Sequence, residues 1–156
     1  MIGSIHVLLV EDNDADVDLT RETLGATQFD SKLSVAKDGV EAIDFLSRAV
    51  NGSQPGQPTL VLLDLNLPRK DGRQVLGVLK GNDEFRRIPV IILSSSDSEK
   101  DVTSCYHLGA NCYIVKPVDL QAYRQLVRTL ESFWLGAAKL PQHEGHSTAT
   151  GIGCGD

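Results

Sequence analysis

Polar residues follow the apolar runs of this sequence at widely separated positions, and their types suit phosphoryl chemistry. The candidates are Glu11, Asp12, Asp64, Ser94 and Lys116. Asp64 ends the apolar run Leu60–Leu63 and needs an explanation, because an unpaired buried charge is costly. An aspartate carboxylate can attack phosphorus and form an acyl phosphate, which makes Asp64 a candidate nucleophile.

The acidic residues predict a metal ion as well as a nucleophile. Carboxylates about 4 Å apart, at an effective dielectric near 20, repel by roughly 4 kcal/mol per pair before screening. Lys116 supplies one compensating charge, and a divalent ion would supply two more. Oxygen ligands of this kind suit Mg²⁺, which together with Lys116 can neutralise charge during phosphoryl transfer. The Ser94 hydroxyl can donate a hydrogen bond to a phosphoryl group.

The apolar pattern predicts five strands that alternate with five helices. The predicted strands are Ile5–Val10, Lys32–Ala36, Leu60–Leu63, Pro89–Leu93 and Cys112–Val115. Predicted helix starts are Asp14, the Asp38-Gly39 turn, Asp71-Gly72, the capping-box-like Ser98-x-x-Asp101, and Asp119. Such alternation indicates βαβ units and a doubly wound α/β sheet, with the flavodoxin-like order 2-1-3-4-5 as the leading option.

This strand order brings the candidate residues together. Strands one and three become neighbours, and the C-terminal ends of parallel strands form the edge at which open α/β sheets bind ligands. The predicted inner helix positions are Val17, Leu24, Val40, Ile43, Leu46, Val50, Val75, Leu76, Leu79, Val102, Cys105, Tyr106, Tyr123, Leu126, Val127, Leu130, Phe133, Trp134 and Ala137. Phe133 and Trp134 either complete the core or form a self-association face.

Length and composition predict one domain, residues 1–140, followed by a flexible tail, 141–156. The net charge of −6 argues against nucleic-acid binding and against an anionic membrane surface. The sequence has neither a long apolar run nor a signal-peptide start, and its three cysteines form no CxxC pair. We therefore expect a cytoplasmic protein with reduced thiols.

The complete constellation resembles the receiver domain of two-component response regulators. The residues that carry the resemblance are Glu11-Asp12, Asp64, Ser94, Lys116-Pro117 and Leu67-Pro68-x-x-Asp71-Gly72, within a region of about Ile5 to Lys139. Each motif is weak evidence alone, but all of them in order at their own strand ends are highly specific. Glutamate at position 11 and serine at position 94 are conservative departures from the family pattern.

The resemblance implies a role for each residue. Asp64 would accept a phosphoryl group from a histidine kinase, with Mg²⁺ bound by Glu11, Asp12, Asp64 and the backbone carbonyl of Asn66. Ser94 would be the switch hydroxyl, and Tyr113 the aromatic residue that changes rotamer with it. Asn66 and Ser96 would flank the attacking water and tune the lifetime of the acyl phosphate.

Three further stretches resemble stand-alone regulators that are paired with bacterial and cyanobacterial phytochromes. They are the Pro/Gly-rich loop 51–58, Phe85–Pro89 and Lys116–Leu120. We expect no DNA-binding output module, since few residues follow the predicted fifth helix. Signalling is therefore expected to use a partner protein, a homodimer through the last helices, or onward transfer to a histidine phosphotransfer protein. The expected surface holds Tyr106, Tyr113 and Phe133.

Three other functions fit the sequence less well. Phosphatases of the haloacid dehalogenase type need a second aspartate where this chain has Asn66, so we expect no turnover enzyme, only slow self-catalysed phosphorylation and dephosphorylation. A flavodoxin-like cofactor binder would need a phosphate loop where this chain has Glu11–Asp14. A degenerate receiver that acts as a passive interaction module would not need the complete set of site residues.

Overall fold

The computed structural model of the chain describes residues 5–26, 29–52 and 56–141. Five parallel strands form one sheet in the order β2-β1-β3-β4-β5. The strands are β1 (Ile5–Val10), β2 (Ser31–Ala36), β3 (Leu60–Leu63), β4 (Val90–Ser94) and β5 (Cys112–Val115). The helices are α1 (Asp14–Gly25), α2 (Gly39–Val50), α3 (Gly72–Gly81), α4 (Glu99–His107) and α5 (Leu120–Leu130), and a π-helical segment, Glu131–Ala137, continues α5.

This architecture confirms the predicted flavodoxin-like, doubly wound sheet, with β2 and β4 each one residue away from the predicted bounds. The predicted tail lies outside the described residues except for Pro141, so its flexibility stays a prediction. No helix in the described ranges is both long and apolar enough to cross a membrane.

The sheet has an apolar core on each face because alternate side chains of a strand point to opposite sides. One core packs α2, α3 and α4 against the sheet through Leu46, Leu76 and Cys105. The other packs α1, α5 and the π-helical segment through Val17, Leu130 and Leu135. The strands β1, β3 and β4 are buried along their whole length, as expected of central strands that are covered on both faces.

Four of the predicted helix starts are confirmed, and the first is shifted by one residue. Asp38, Asp71, Ser98 and Asp119 each accept a hydrogen bond from a backbone N–H of the first turn. The cap of α1 is Asn13 rather than the predicted Asp14, which is the first helical residue. Asparagine and aspartate cap almost equally well, and an acidic residue inside the first turn is favoured by the helix dipole.

The predicted capping box at α4 is only half formed. The Ser98 hydroxyl accepts from the backbone N–H of Asp101. The reciprocal bond is replaced, since the Ser98 N–H donates to the Ser96 hydroxyl and the Asp101 carboxylate binds Ser96 and Arg73 instead. Because both oxygens of the Asp101 carboxylate bind other partners, the carboxylate does not accept a hydrogen bond from the Ser98 N–H.

Several predicted inner positions of the helices face outward. Val50 and Tyr106 are 41% and 49% exposed, while Ala42 and Ala49 are buried in α2. The predicted inner positions of α2 were all large side chains, whereas the buried side of α2 also includes the small residues Ala42 and Ala49 beside Leu46. Val40, Ile43, Val102 and Leu126 are only partly buried.

The end of α5 departs from the predicted pattern because the helix becomes wider there. The Ala138 N–H donates to the Phe133 carbonyl five residues back, at 2.7 Å, which is the π-helical spacing. The change of period turns Leu135 into the core and leaves Phe133 54% exposed. Trp134 is partly buried against the core, so the two aromatic residues left open by the sequence have different environments.

Candidate functional site

The acidic candidates meet at the C-terminal edge of the sheet. Backbone hydrogen bonds continue past the strand ends, from the Asp64 N–H to the Val10 carbonyl and from the Lys116 N–H to the Ser94 carbonyl. Single carboxylate oxygens of Glu11, Asp12 and Asp64 all lie within 4.8 Å of one another. Glu11 is 1% exposed and Asp64 6%, whereas Asp12 is exposed, so the cluster opens toward solvent at Asp12.

The ammonium group of Lys116 bridges the cluster. Its Nζ lies 2.5 Å from Glu11 Oε1 and 3.2 Å from Asp64 Oδ2. A third carboxylate, Asp16 Oδ2 in the first turn of α1, lies 3.1 Å away. An ammonium has three N–H donors, so all three are directed to carboxylates. The cation that the sequence predicted as the counter-charge lies at the centre of the acidic residues.

Burial and neighbouring charges shift the pKa values of Glu11 and Lys116. Burial raises the pKa of the Glu11 carboxyl from 4.5 to about 7, against the opposing effect of its hydrogen bond to Lys116. Burial alone would lower the pKa of Lys116, but the hydrogen bond to Glu11 and the charges of Asp64 and Glu11 outweigh it and raise that pKa well above 10.5. The raised pKa favours the protonated, positively charged form of Lys116 at neutral pH.

The backbone around Asp64 is held in a tight turn against α3. The Asn66 N–H donates to Asp64 Oδ1 at 3.2 Å, and the Gly72 N–H donates to the Leu65 carbonyl at 2.9 Å. A Cβ atom at Gly72 would lie 2.3 Å from the Asp64 carbonyl oxygen. The first residue of α3 must therefore be glycine for this turn to pack as it does.

The predicted switch residues form a second polar group beside the acidic cluster. Ser94 is completely buried at the end of β4, and its hydroxyl accepts from the Ser96 N–H at 3.1 Å. The Ser96 hydroxyl donates to the Asp101 carboxylate at 2.6 Å. The Tyr113 hydroxyl donates to the Ser96 carbonyl at 2.8 Å, so its ring reaches from β5 to the loop between β4 and α4.

Sequence reasoning missed the contacts of three charged residues in this region, Asp16, Arg73 and Asp101, although it had predicted Asp101 as a capping residue of α4. Asp16 contacts Lys116, and Arg73 forms an ion pair with Asp101 that joins α3 to α4. A signal for Asp16 was present, because a residue in the first turn after the first strand must lie near that strand's end. Nothing in the sequence indicates the pairing of Arg73 with Asp101, which depends on how two helices lie side by side.

The fold and the site together define a doubly wound α/β domain whose acidic edge is bridged by a lysine. The chain belongs to the response regulator receiver domain family, whose sequence model matches residues 7–128. The resemblance predicted from the sequence is thereby confirmed.

Within this family, the chain is similar to two named response regulators. The chain is 43% identical over 135 residues to response regulator Rcp1 of Synechocystis sp., covering 86% of this chain and 92% of Rcp1. The crystal structure of the Mn²⁺-bound form of Rcp1 superposes with a TM-score of 0.84 at 42% identity, covering 88% of this chain and 99% of Rcp1. The phosphorylated cyanobacterial phytochrome response regulator RcpA gives 0.85 at 41% identity, covering 90% and 100%.

Proposed function

We propose that this chain is a response regulator that accepts a phosphoryl group on Asp64 from a histidine kinase and signals through protein contacts. The observation that carries the proposal is the buried Asp64 carboxylate bound by the Lys116 ammonium at 3.2 Å beside two further acidic residues. In a simple structural ion pair, one positive charge balances one negative charge. Here several carboxylates surround the single ammonium group of Lys116, so the cluster carries a net negative charge. The excess negative charge suits a metal ion.

In the proposed reaction, a carboxylate oxygen of Asp64 attacks the phosphorus atom of a phosphohistidine. The new P–O bond forms as the P–N bond breaks, and the imidazole leaves with the electron pair and takes up a proton. Lys116 stabilises the charge on the phosphoryl oxygens, and Ser94 donates a hydrogen bond to one of them. Water later attacks the acyl phosphate, at a rate that we propose is tuned by Asn66 and Ser96.

The proposed Mg²⁺ ligands are the carboxylates of Glu11, Asp12 and Asp64 and the backbone carbonyl of Asn66. The donor set fits, because it consists of hard oxygen atoms and its carboxylates already lie within 4.8 Å of one another. A bound Mg²⁺ would neutralise phosphoryl charge during transfer. The relative Rcp1 has been crystallised with Mn²⁺, another divalent cation, which supports a metal in this chain.

We propose that Tyr113 transmits the state of the site to the face formed by α4, β5 and α5. Its hydroxyl is bound to the loop that carries Ser96, and its backbone N–H donates to the exposed Tyr106 at 3.1 Å. Tyr106 on α4 and Phe133 on the segment that continues α5 both expose large rings, which suits a partner protein or a homodimer. The proposed domain is residues 1–140, with 141–156 as a flexible tail.

A phytochrome is the histidine kinase that we propose as partner, supported by 41% identity to a phytochrome response regulator over almost its whole length. A relay intermediate or phosphate sink that passes the group to a histidine phosphotransfer protein is the second candidate, favoured by the exposed Asp12 at the mouth of the site. We propose that the chain is not a turnover enzyme. The cytoplasmic location stays a prediction.

The test of the proposal is intact-mass measurement after incubation with Mg²⁺ and a small phosphodonor. We expect one added phosphoryl group that requires Mg²⁺ and is absent from Asp64→Asn. Asp97→Asn, an exposed aspartate on the loop beside the site, is the matched control and should be phosphorylated normally. An adduct that persists in Asp64→Asn would contradict the assignment. If neither a small phosphodonor nor a kinase produces an adduct, the chain is a passive interaction module instead.

A further inference from the structure

Asp16 contacts the phosphoacceptor site without belonging to its acidic cluster. Its Oδ2 lies 3.1 Å from Lys116 Nζ. Its backbone is fixed in the first turn of α1, where its N–H donates to the Asn13 side chain at 3.0 Å and its carbonyl accepts from the Thr20 hydroxyl at 2.8 Å. The carboxylate of Asp16 is therefore presented to Lys116 from a hydrogen-bonded first turn of α1.

Helix capping does not account for this carboxylate. Asn13 already supplies the cap of α1, and Asp14 already places a charge in the first turn. Within the described part of the chain, the hydrogen bond that the Asp16 carboxylate makes is the one to Lys116. The side chain is only partly exposed, so this contact is less screened than a surface ion pair.

The three partners of Lys116 are not equivalent toward a metal ion. Two of them, Glu11 and Asp64, belong to the group of carboxylates that can hold one, and the third, Asp16, does not. Lys116 and a divalent ion must therefore share the oxygens of Glu11 and Asp64. The Asp16 contact is the one that remains wholly available to the lysine.

We propose that Asp16 is a positioning residue that retains the Lys116 ammonium at the site when a divalent metal ion takes up oxygens of Glu11 and Asp64. The inference rests on the proposed function, since it concerns the same metal and lysine. In this proposal, Asp16 allows the Lys116 ammonium and the metal ion to be bound at the same time. Without it, the lysine has only the metal's own ligands as charged partners, and it competes with the metal for them.

The test is the affinity of the full-length chain for Mg²⁺, measured by titration calorimetry with MgCl₂ and no phosphodonor. We expect Asp16→Asn to bind Mg²⁺ about fivefold more weakly, a factor that corresponds to about 1 kcal/mol. Asp18→Asn, an exposed aspartate of the same helix, removes the same charge without touching Lys116 and should change the affinity less than twofold. Equal effects of the two variants would overturn the proposal.

A double-mutant cycle separates positioning from plain charge loss. In a Lys116→Met background, the effect of Asp16→Asn on Mg²⁺ affinity should shrink to that of Asp18→Asn, because the residue through which Asp16 acts is gone. An undiminished effect would show that Asp16 acts on the metal directly and would overturn the proposal. Lys116→Gln replaces the methionine variant if the latter does not fold.

Failure of the proposed function has a different outcome. If the wild-type chain binds no Mg²⁺, the proposed metal site is wrong, and the proposed role of Asp16 is wrong with it. A wild-type chain that binds Mg²⁺ while Asp16→Asn binds it equally well leaves the metal site intact and removes only the role of Asp16.

Discussion

At the scale of single residues, the carboxylate of Asp101 connects the site to two helices. It accepts from the Ser96 hydroxyl on one oxygen and binds Arg73 on the other. The Ser96 hydrogen bond, followed by the charge of Arg73, holds the pKa of Asp101 below its ordinary value of 3.8. The ionised form is therefore the one that the folded state prefers.

Asp101 predicts a pH dependence of stability. A carboxyl whose pKa is lowered on folding stabilises the folded state above its ordinary pKa of 3.8 and loses that effect as pH falls through the lowered value. We expect Asp101→Asn to have a lower urea midpoint than wild type at neutral pH, and the difference to shrink as the pH is lowered below 3.8. The exposed Asp97→Asn is the control, and a difference that is the same at both pH values would contradict the argument.

At the scale of elements, the π-helical segment after α5 sets which side chains face the core. Leu135 is 8% exposed and Phe133 is 54% exposed, although an uninterrupted α-helix would favour Phe133 or Trp134 at the inner position. Substitution of the two residues distinguishes these arrangements.

We expect Leu135→Ala to lower the free energy of unfolding by about 2–4 kcal/mol, because it removes buried methyl groups and leaves a cavity. Phe133→Ala should change it by less than about 0.5 kcal/mol in the monomer, since most of that ring is in solvent. Urea denaturation at low protein concentration measures both. A larger loss for Phe133→Ala would favour the uninterrupted helix.

The sequence predicted elements best where one physical signal dominated. The buried runs of β1, β3 and β4 were unambiguous, and because parallel strands end at one edge, Glu11, Asp64 and Lys116 could be brought together without a structure. The facing of α2 and α4 was predicted only in part: Leu46 and Cys105 are buried as expected, whereas Val50 and Tyr106 are exposed. The π-helical turn and the Arg73–Asp101 pair depend on tertiary packing, which no local period encodes.

At the scale of the whole molecule, a chain of three hydrogen bonds joins the site to the exposed ring of Tyr106 on α4. Ser94 binds the N–H of Ser96, the carbonyl of Ser96 binds Tyr113, and the N–H of Tyr113 binds Tyr106. A ligand that engages Ser94 should order the intervening loop and so strengthen the contacts that depend on it.

Hydrogen exchange with beryllofluoride as the phosphoryl mimic measures this coupling. With Mg²⁺ and the mimic, we expect exchange of the Tyr113 amide to slow at least about threefold, equivalent to roughly 0.7 kcal/mol, because the loop that anchors its ring becomes ordered. The mimic should have no effect in Asp64→Asn. Unchanged rates across α4, β5 and α5 in the wild-type chain would refute signalling through this face.

The contact between Gly72 and the Asp64 carbonyl has a consequence for inheritance. Every missense change of one base in a glycine codon introduces a side chain, and here any side chain would begin 2.3 Å from a backbone oxygen. Codon 72 is therefore intolerant of missense change regardless of which residue arises. Codon 77 encodes a glycine of the same helix with nothing within 4 Å, so its alanine allele should be carried without harm.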